Sequence, residues 1–126
     1  MNTKQKMQAL AKDIYEFCNE YDLWQDCCIY LQGNAYTYWK TWNDETGEKL
    51  ADNLYKYEDK DPNVYFDYVN NLTLSMSFEG ALYKVVNCYW ESNSWSSLYE
   101  KFNKLFSKYD CYYELGDAWN LTVYLE

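Results

Sequence analysis

The residues best equipped for chemistry lie between Asp44 and Asp67. Eight acids fall there (Asp44, Glu45, Glu48, Asp52, Glu58, Asp59, Asp61 and Asp67), opposed only by Lys49, Lys56 and Lys60, with Tyr55, Tyr57, Tyr65, Phe66 and Tyr68 interleaved. Two carboxylates can serve as acid and base in glycoside hydrolysis. With twenty acids in the chain, however, some close pair is always present, so a pair carries no signal. Oxygen ligands also suit calcium, but the spacing around Asp59 and Asp61 lacks the glycine an EF-hand loop needs at its sixth position. The stretch reads either as a solvated loop with its aromatics tucked beneath it or, more sharply, as a protein-binding surface, since tyrosines supply rigid contact area and carboxylates steer a basic partner into place. The residues expected at such a surface are Asp44, Glu45, Glu48, Asp52, Tyr55, Glu58, Asp59, Asp61, Tyr65 and Asp67.

Other reaction chemistry has little to work with. Histidine, the usual general base near neutral pH, is absent. Nucleophile-elbow, phosphate-loop and dinucleotide-turn motifs are missing too. The five cysteines (Cys18, Cys27, Cys28, Cys88 and Cys111) include no C-x-x-C spacing, so they are expected to be reduced and mostly buried. No catalytic residue, metal or cofactor is expected. The net charge of −9, with no arginine among the eleven basic residues, repels nucleic acid and anionic lipid and attracts basic proteins. No apolar run approaches the ~20 residues of a membrane span, and the expected location is the cytoplasm of a bacterial host cell.

The elements that must position these groups follow from periodicity. Lys4–Tyr21 carries Met7, Leu10, Ile14, Phe17 and Cys18 at helical spacing. Cys27–Gln32 and Ala35–Trp42 read as a hairpin turning at Gly33-Asn34. Asn43–Gly47 is a loop by composition. Glu48–Tyr57 suits either a helix or a loop followed by a strand at Asn53–Glu58, and the second is preferred. Asp61-Pro62 suits the start of a helical turn over Pro62–Tyr68, with a strand at Val64–Val69 as the alternative. Leu72, Leu74, Met76 and Phe78 alternate with Thr73, Ser75 and Ser77 in a strand apolar on one side. Ala81–Tyr89 predicts a short helix. A longer one starts at Asn93 or Ser94 with the stripe Trp95, Leu98, Tyr99, Phe102, Leu105, Phe106 and Tyr109. Asp110–Leu115 and Trp119–Leu125 close the chain as a hairpin.

An offset of 84 residues matches Tyr15 with Tyr99, Asn19 with Asn103, Asp26 with Asp110, Cys27 with Cys111 and Leu31 with Leu115. The segments 4–42 and 94–125 therefore read as copies of one helix-strand-strand unit, joined by an acidic connector and the central strand 72–78. One such unit leaves half its surface open, whereas two can share a sheet. The expected fold is a single α+β domain over 1–126. Its two helix-strand-strand units share one mainly antiparallel sheet, with the amphipathic helices packed on one face.

Small size, strong acidity, abundant Tyr and Trp and the lack of catalytic motifs resemble the compact inhibitors that phages and mobile elements direct against bacterial defence nucleases, the anti-CRISPR and antirestriction proteins. The resemblance lies in composition along the chain, so it assigns no individual residue. Richness in Asn, Lys and Tyr without arginine resembles AT-rich Gram-positive hosts and their phages. The resemblance implies a non-catalytic acidic inhibitor whose partner is a basic nucleic-acid-handling protein such as a CRISPR nuclease. That inhibitor would bind neither nucleic acid nor membrane directly. An immunity protein neutralising a cognate toxin obeys the same physics, and a small carboxylate-dependent hydrolase is the reading from another class.

Overall fold

The structure, a computed structural model, describes residues 1–38, 48–51, 54–58, 62–64 and 69–126. The chain enters helix α1 (Thr3–Glu20) through a capping box. Asn2 Oδ1 accepts from the Gln5 amide at 2.8 Å, and Gln5 Oε1 accepts from the Asn2 amide at 3.0 Å. The stripe Met7, Leu10, Ile14, Phe17 and Cys18 is buried as its spacing demands.

Strand β1 (Cys27–Leu31) returns antiparallel as β2 (Asn34–Thr37), with Leu31 opposite Asn34. The two turn residues are thus Gln32 (φ 53°) and Gly33 (φ 79°), one position earlier than the sequence suggested. Both lie in the left-handed region, as a two-residue turn that matches strand twist requires. The segment Glu48–Tyr57 forms neither a helix nor a leading loop. Glu48–Ala51 is strand β3, which pairs with β4 (Leu54–Glu58). Pro62–Val64 is a single 3-10 turn. The rest of the turn expected there, like Asn43–Gly47, lies outside the described residues.

The central strand β5 is Leu74–Phe78, two residues shorter than its alternation implied. Leu72 is not on the inner face but 78% exposed, in a turn held by its own amide on the Asn70 side chain. Helix α2 stops at Val86 (Ala81–Val86) and not at Tyr89, because Cys88 takes a left-handed conformation (φ 62°). Helix α3 (Ser94–Ser107) leads to β6 (Cys111–Leu115) and β7 (Asn120–Leu125).

The seven described strands form one sheet in the order β3-β4-β2-β1-β5-β7-β6. Every neighbouring pair is antiparallel. The three helices cover one face: α1 packs on β1 and α3, α2 on β5 and α3, and α3 on β6. Between the layers Met7, Ile14 and Phe17 meet Ile29, Met76, Phe78, Leu82, Phe102, Phe106, Leu121 and Val123 in one buried cluster. Each such side chain contributes about 1.5–3 kcal/mol by leaving water. The expected α+β class and the one-sided helix layer are both present.

Candidate protein-binding surface

Within the expected acidic surface, three residues are described. Glu48 opens β3, and Tyr55 and Glu58 belong to β4, where Tyr55 faces Lys49 and Thr37, and Glu58 faces Asn34. Tyr55 is half-buried against Cys28, Ala35 and Tyr30 on the face away from the helices. Asp44, Glu45, Asp52, Asp59, Asp61, Tyr65 and Asp67 lie outside the described residues.

The described structure gathers carboxylates elsewhere. Strand directions bring the start of β1, the end of β5, the hairpin between β6 and β7, and the end of β2 to one end of the sheet. Three described connecting segments there, 21–26, 79–80 and 116–119, contain Asp22, Asp26, Glu79 and Asp117 and no lysine, whereas the segment that follows Tyr38, with Lys40, lies outside the described residues. Backbone bonds tie these segments together, with the Glu79 amide donating to the Asp26 carbonyl at 3.0 Å and the Phe78 amide to the Trp119 carbonyl at 2.8 Å. Gly80 permits the closest approach, since a Cβ at that position would sit 2.5 Å from the Gln25 carbonyl oxygen. Asp22 and Asp26 hold left-handed φ values of 56° and 59°, which short polar side chains tolerate better than branched ones. The Tyr38 hydroxyl donates to Asp26 Oδ1 at 3.1 Å, and this bond above all raises the Tyr38 pKa.

Lysines are placed differently. Helices α1, α2 and α3 hold Lys4, Lys6, Lys12, Lys84, Lys101 and Lys104 against Asp13, Glu16, Glu20 and Glu100. The helix layer is therefore slightly positive, and the surplus of acids sits in the strands and their connections.

Beside the same sheet end, an aromatic corner escaped the sequence reading. Tyr83 stacks on Tyr89 at 6.3 Å, and Trp90 lies 6.0 Å from Tyr99. Tyr89 is 65% exposed and Trp90 39%. The Asn87 side chain anchors this corner to the β6–β7 hairpin by donating to the Ala118 carbonyl at 2.7 Å. Helical spacing through Leu82, Val85 and Val86 predicts Tyr89 on the inner side. The run Asn87–Ser94, rich in Asn and Ser, was the available signal that the helix had already ended.

The face away from the helices is polar yet covered in part. Thr37 Oγ1 donates to the Cys27 carbonyl at 2.7 Å, Thr73 Oγ1 to the Val123 carbonyl, and Ser75 and Thr122 share a contact at 3.4 Å. A cleft of about 510 Å³ separates Tyr30 and Ser75 from Asn63 and Asn70. Further out, Tyr112 and Tyr124 stack at 5.8 Å.

Two buried thiols are poor nucleophiles. A hydrogen bond with Cys18 and burial raise Cys27 well above its ordinary value, and burial pushes Cys111 up to about 11. Comparison with protein-family models, curated proteins and solved structures finds no match for this chain. Fold and surface together define an acidic two-layer α+β protein that presents rings and carboxylates at one end of its sheet.

Proposed function

We propose that this chain is a non-catalytic acidic inhibitor that binds a basic nucleic-acid-handling protein, with a CRISPR nuclease as the first candidate, and blocks its nucleic-acid-binding surface. The separation of charge carries the reading. Among the described residues, the carboxylates at one sheet end have no lysine in their own connecting segments, while six of the eleven lysines stand on the three helices. An acidic surface kept only for solubility would intersperse the two signs.

Same-face residues of a strand repeat every ~6.8 Å, and duplex DNA carries a charge every ~3.4 Å along each strand. Rows of carboxylates can therefore follow a phosphate track in coarse outline. The Cys18 hydrogen bond and burial raise the thiol pKa of Cys27, and burial raises that of Cys111, which makes these two side chains poor nucleophiles.

The test is a DNA-cleavage assay with the CRISPR nuclease of a host strain, titrated with the purified protein at low and at high salt. Inhibition should weaken as salt screens the contact, and the double variant Glu79→Lys with Asp117→Lys should inhibit less well. Cleavage unaffected at every dose, or inhibition indifferent to both salt and the double variant, would refute the reading.

A further inference from the structure

We infer that the outer edge of β6 is a docking edge for an extended, lysine- or arginine-bearing segment of the basic partner, which adds to the sheet as a further strand. The inference rests on the proposed function for the partner's charge and adds the place and mode of contact.

The pairing register fixes which backbone groups are on offer. The Glu126 amide donates to the Asp110 carbonyl at 3.0 Å, and the Gly116 amide to the Asn120 carbonyl at 3.2 Å. With Tyr112 opposite Tyr124 and Glu114 opposite Thr122, the alternation of an antiparallel ladder turns Tyr112 and Glu114 towards β7. The N–H and C=O groups of Cys111, Tyr113 and Leu115 then point away from it. Among the described residues β6 pairs with β7 alone and ends the sheet.

Several devices that blunt an edge are missing, and the one charge on β6, Glu114, opposes acidic strands but not basic ones. β6 has no lysine, proline or bulge over its five residues. Its side chains instead suit an alternating basic strand. On the face away from the helices stand Tyr112, 42% exposed and stacked on Tyr124, and then the exposed Glu114. A ring and a carboxylate two residues apart match cations two residues apart on an added strand. On the helix side Leu115, 41% exposed, offers apolar contact to the residues between.

Asp110, Asp117 and Glu126 lie at the strand's ends, and Lys6 reaches only Asp110, at 3.6 Å. A second copy of this chain fits less well, because two bodies of net charge −9 would meet along acidic edges. Main-chain bonding at an edge with alternate side chains setting preference is a general mode of peptide capture.

The probe is a peptide about seven residues long, alternating lysine and valine, compared with the same peptide N-methylated at alternate positions. The charges are equal, but the methylated peptide cannot complete a ladder on one of its edges. NMR should show the unmodified peptide slowing amide exchange at Cys111, Tyr113 and Leu115, and binding at least about tenfold more tightly than the methylated one. Glu114→Lys should weaken its binding by a similar factor. Leu115→Pro, which removes an outward donor and leaves the β7 ladder intact, should do the same.

Equal binding of the two peptides, exchange slowed elsewhere, or no binding would each overturn the inference. So would a sedimenting dimer whose β6 amides are already protected, which would assign the edge to a second copy. Nuclease inhibition that persists in Glu114→Lys and Leu115→Pro would remove the edge and leave the proposed function standing. Peptide capture without inhibition of any nuclease would do the reverse.

Discussion

The two helix-strand-strand segments share an order of elements and differ in where their strands end up. In the first, β1 lies beside the central β5, and β2 is covered in turn by β4 and β3. In the second, the later strand β7 lies beside β5, and the earlier strand β6 closes the sheet. β1 and β7 both run antiparallel to β5, so the inner strand is the first of one segment and the second of the other. Local pattern sets which elements form. The free edge of the central strand decides which of them is buried in the middle of the sheet.

At some positions 84 residues apart the two segments agree. Cys27 and Cys111 both open a strand, both are buried, and both donate to a carbonyl of the preceding segment, Leu23 at 3.4 Å and Phe106 at 3.1 Å. The same offset pairs Cys18 with Phe102, and there the segments part. Phe102 is fully buried and touches Phe17, Phe106 and Tyr113. The second segment therefore builds its core from rings where the first uses a thiol. Phe102→Ala should cost about 3–5 kcal/mol, as buried phenylalanine truncations do, and Cys18→Ala about 1 kcal/mol. Urea unfolding of both variants measures the contrast, and equal losses would mean that the two helices contribute alike.

Gly80 is the next strongest point. It links the central strand to α2 and packs on the loop before β1, where an added Cβ meets the Gln25 carbonyl at 2.5 Å. Neither backbone can yield cheaply, so Gly80→Ala should cost about 1–3 kcal/mol, the range for overpacking. A loss near zero in the same urea titration would show that the loop before β1 can move freely.

Much of this was legible in the sequence where burial and local pattern agree. α1, α3, β1, β6 and β7 are foreseen within a few residues from their local patterns, and β4 only as the preferred of two readings. The errors fall where a backbone requirement overrides the pattern. Gln32 accepts a left-handed φ because its side chain bonds back to α1, on Gln8 at 3.2 Å and the Lys4 carbonyl at 3.4 Å, a tertiary reason that no dipeptide rule contains. Leu72 has the right spacing for β5, but the turn bonds at Asn70 hold it outside the ladder. β3 carries charged residues and little alternation, and it forms by completing a hairpin with β4. The expected binding residues stood in the segment hardest to assign, whereas the described rings and carboxylates gather from four separate connections that only the topology brings together.

The paired thiols give a test that depends on pH. Cys111 has an ordinary pKa of 9.0 and is pushed up to about 11 in the folded chain, chiefly by burial. Above pH 9 the unfolded thiol ionises while the folded one stays neutral, so the unfolded state binds fewer protons and stability falls as pH rises. The contribution is complete below about pH 9 and lost by about pH 11. Cys111→Ala should flatten the fall in urea midpoint across that interval without abolishing it, because Cys27 is raised as well. An unchanged slope would show that the second segment's thiol is not held like the first's.

The smallest effect is expected on the outer surface of the first segment. Lys12 and Glu16 are one helical turn apart with 3.9 Å between charged atoms, and both side chains are largely exposed. Such a pair contributes about 0.3–0.5 kcal/mol at low salt and less as screening increases. Glu16→Gln should therefore leave the unfolding midpoint nearly unchanged in high salt. Any loss comparable to that of Gly80→Ala would place the weight of the first segment on its surface charges instead of on the buried stripe of α1. That outcome would reverse the contrast with the second segment, whose helix is held by rings.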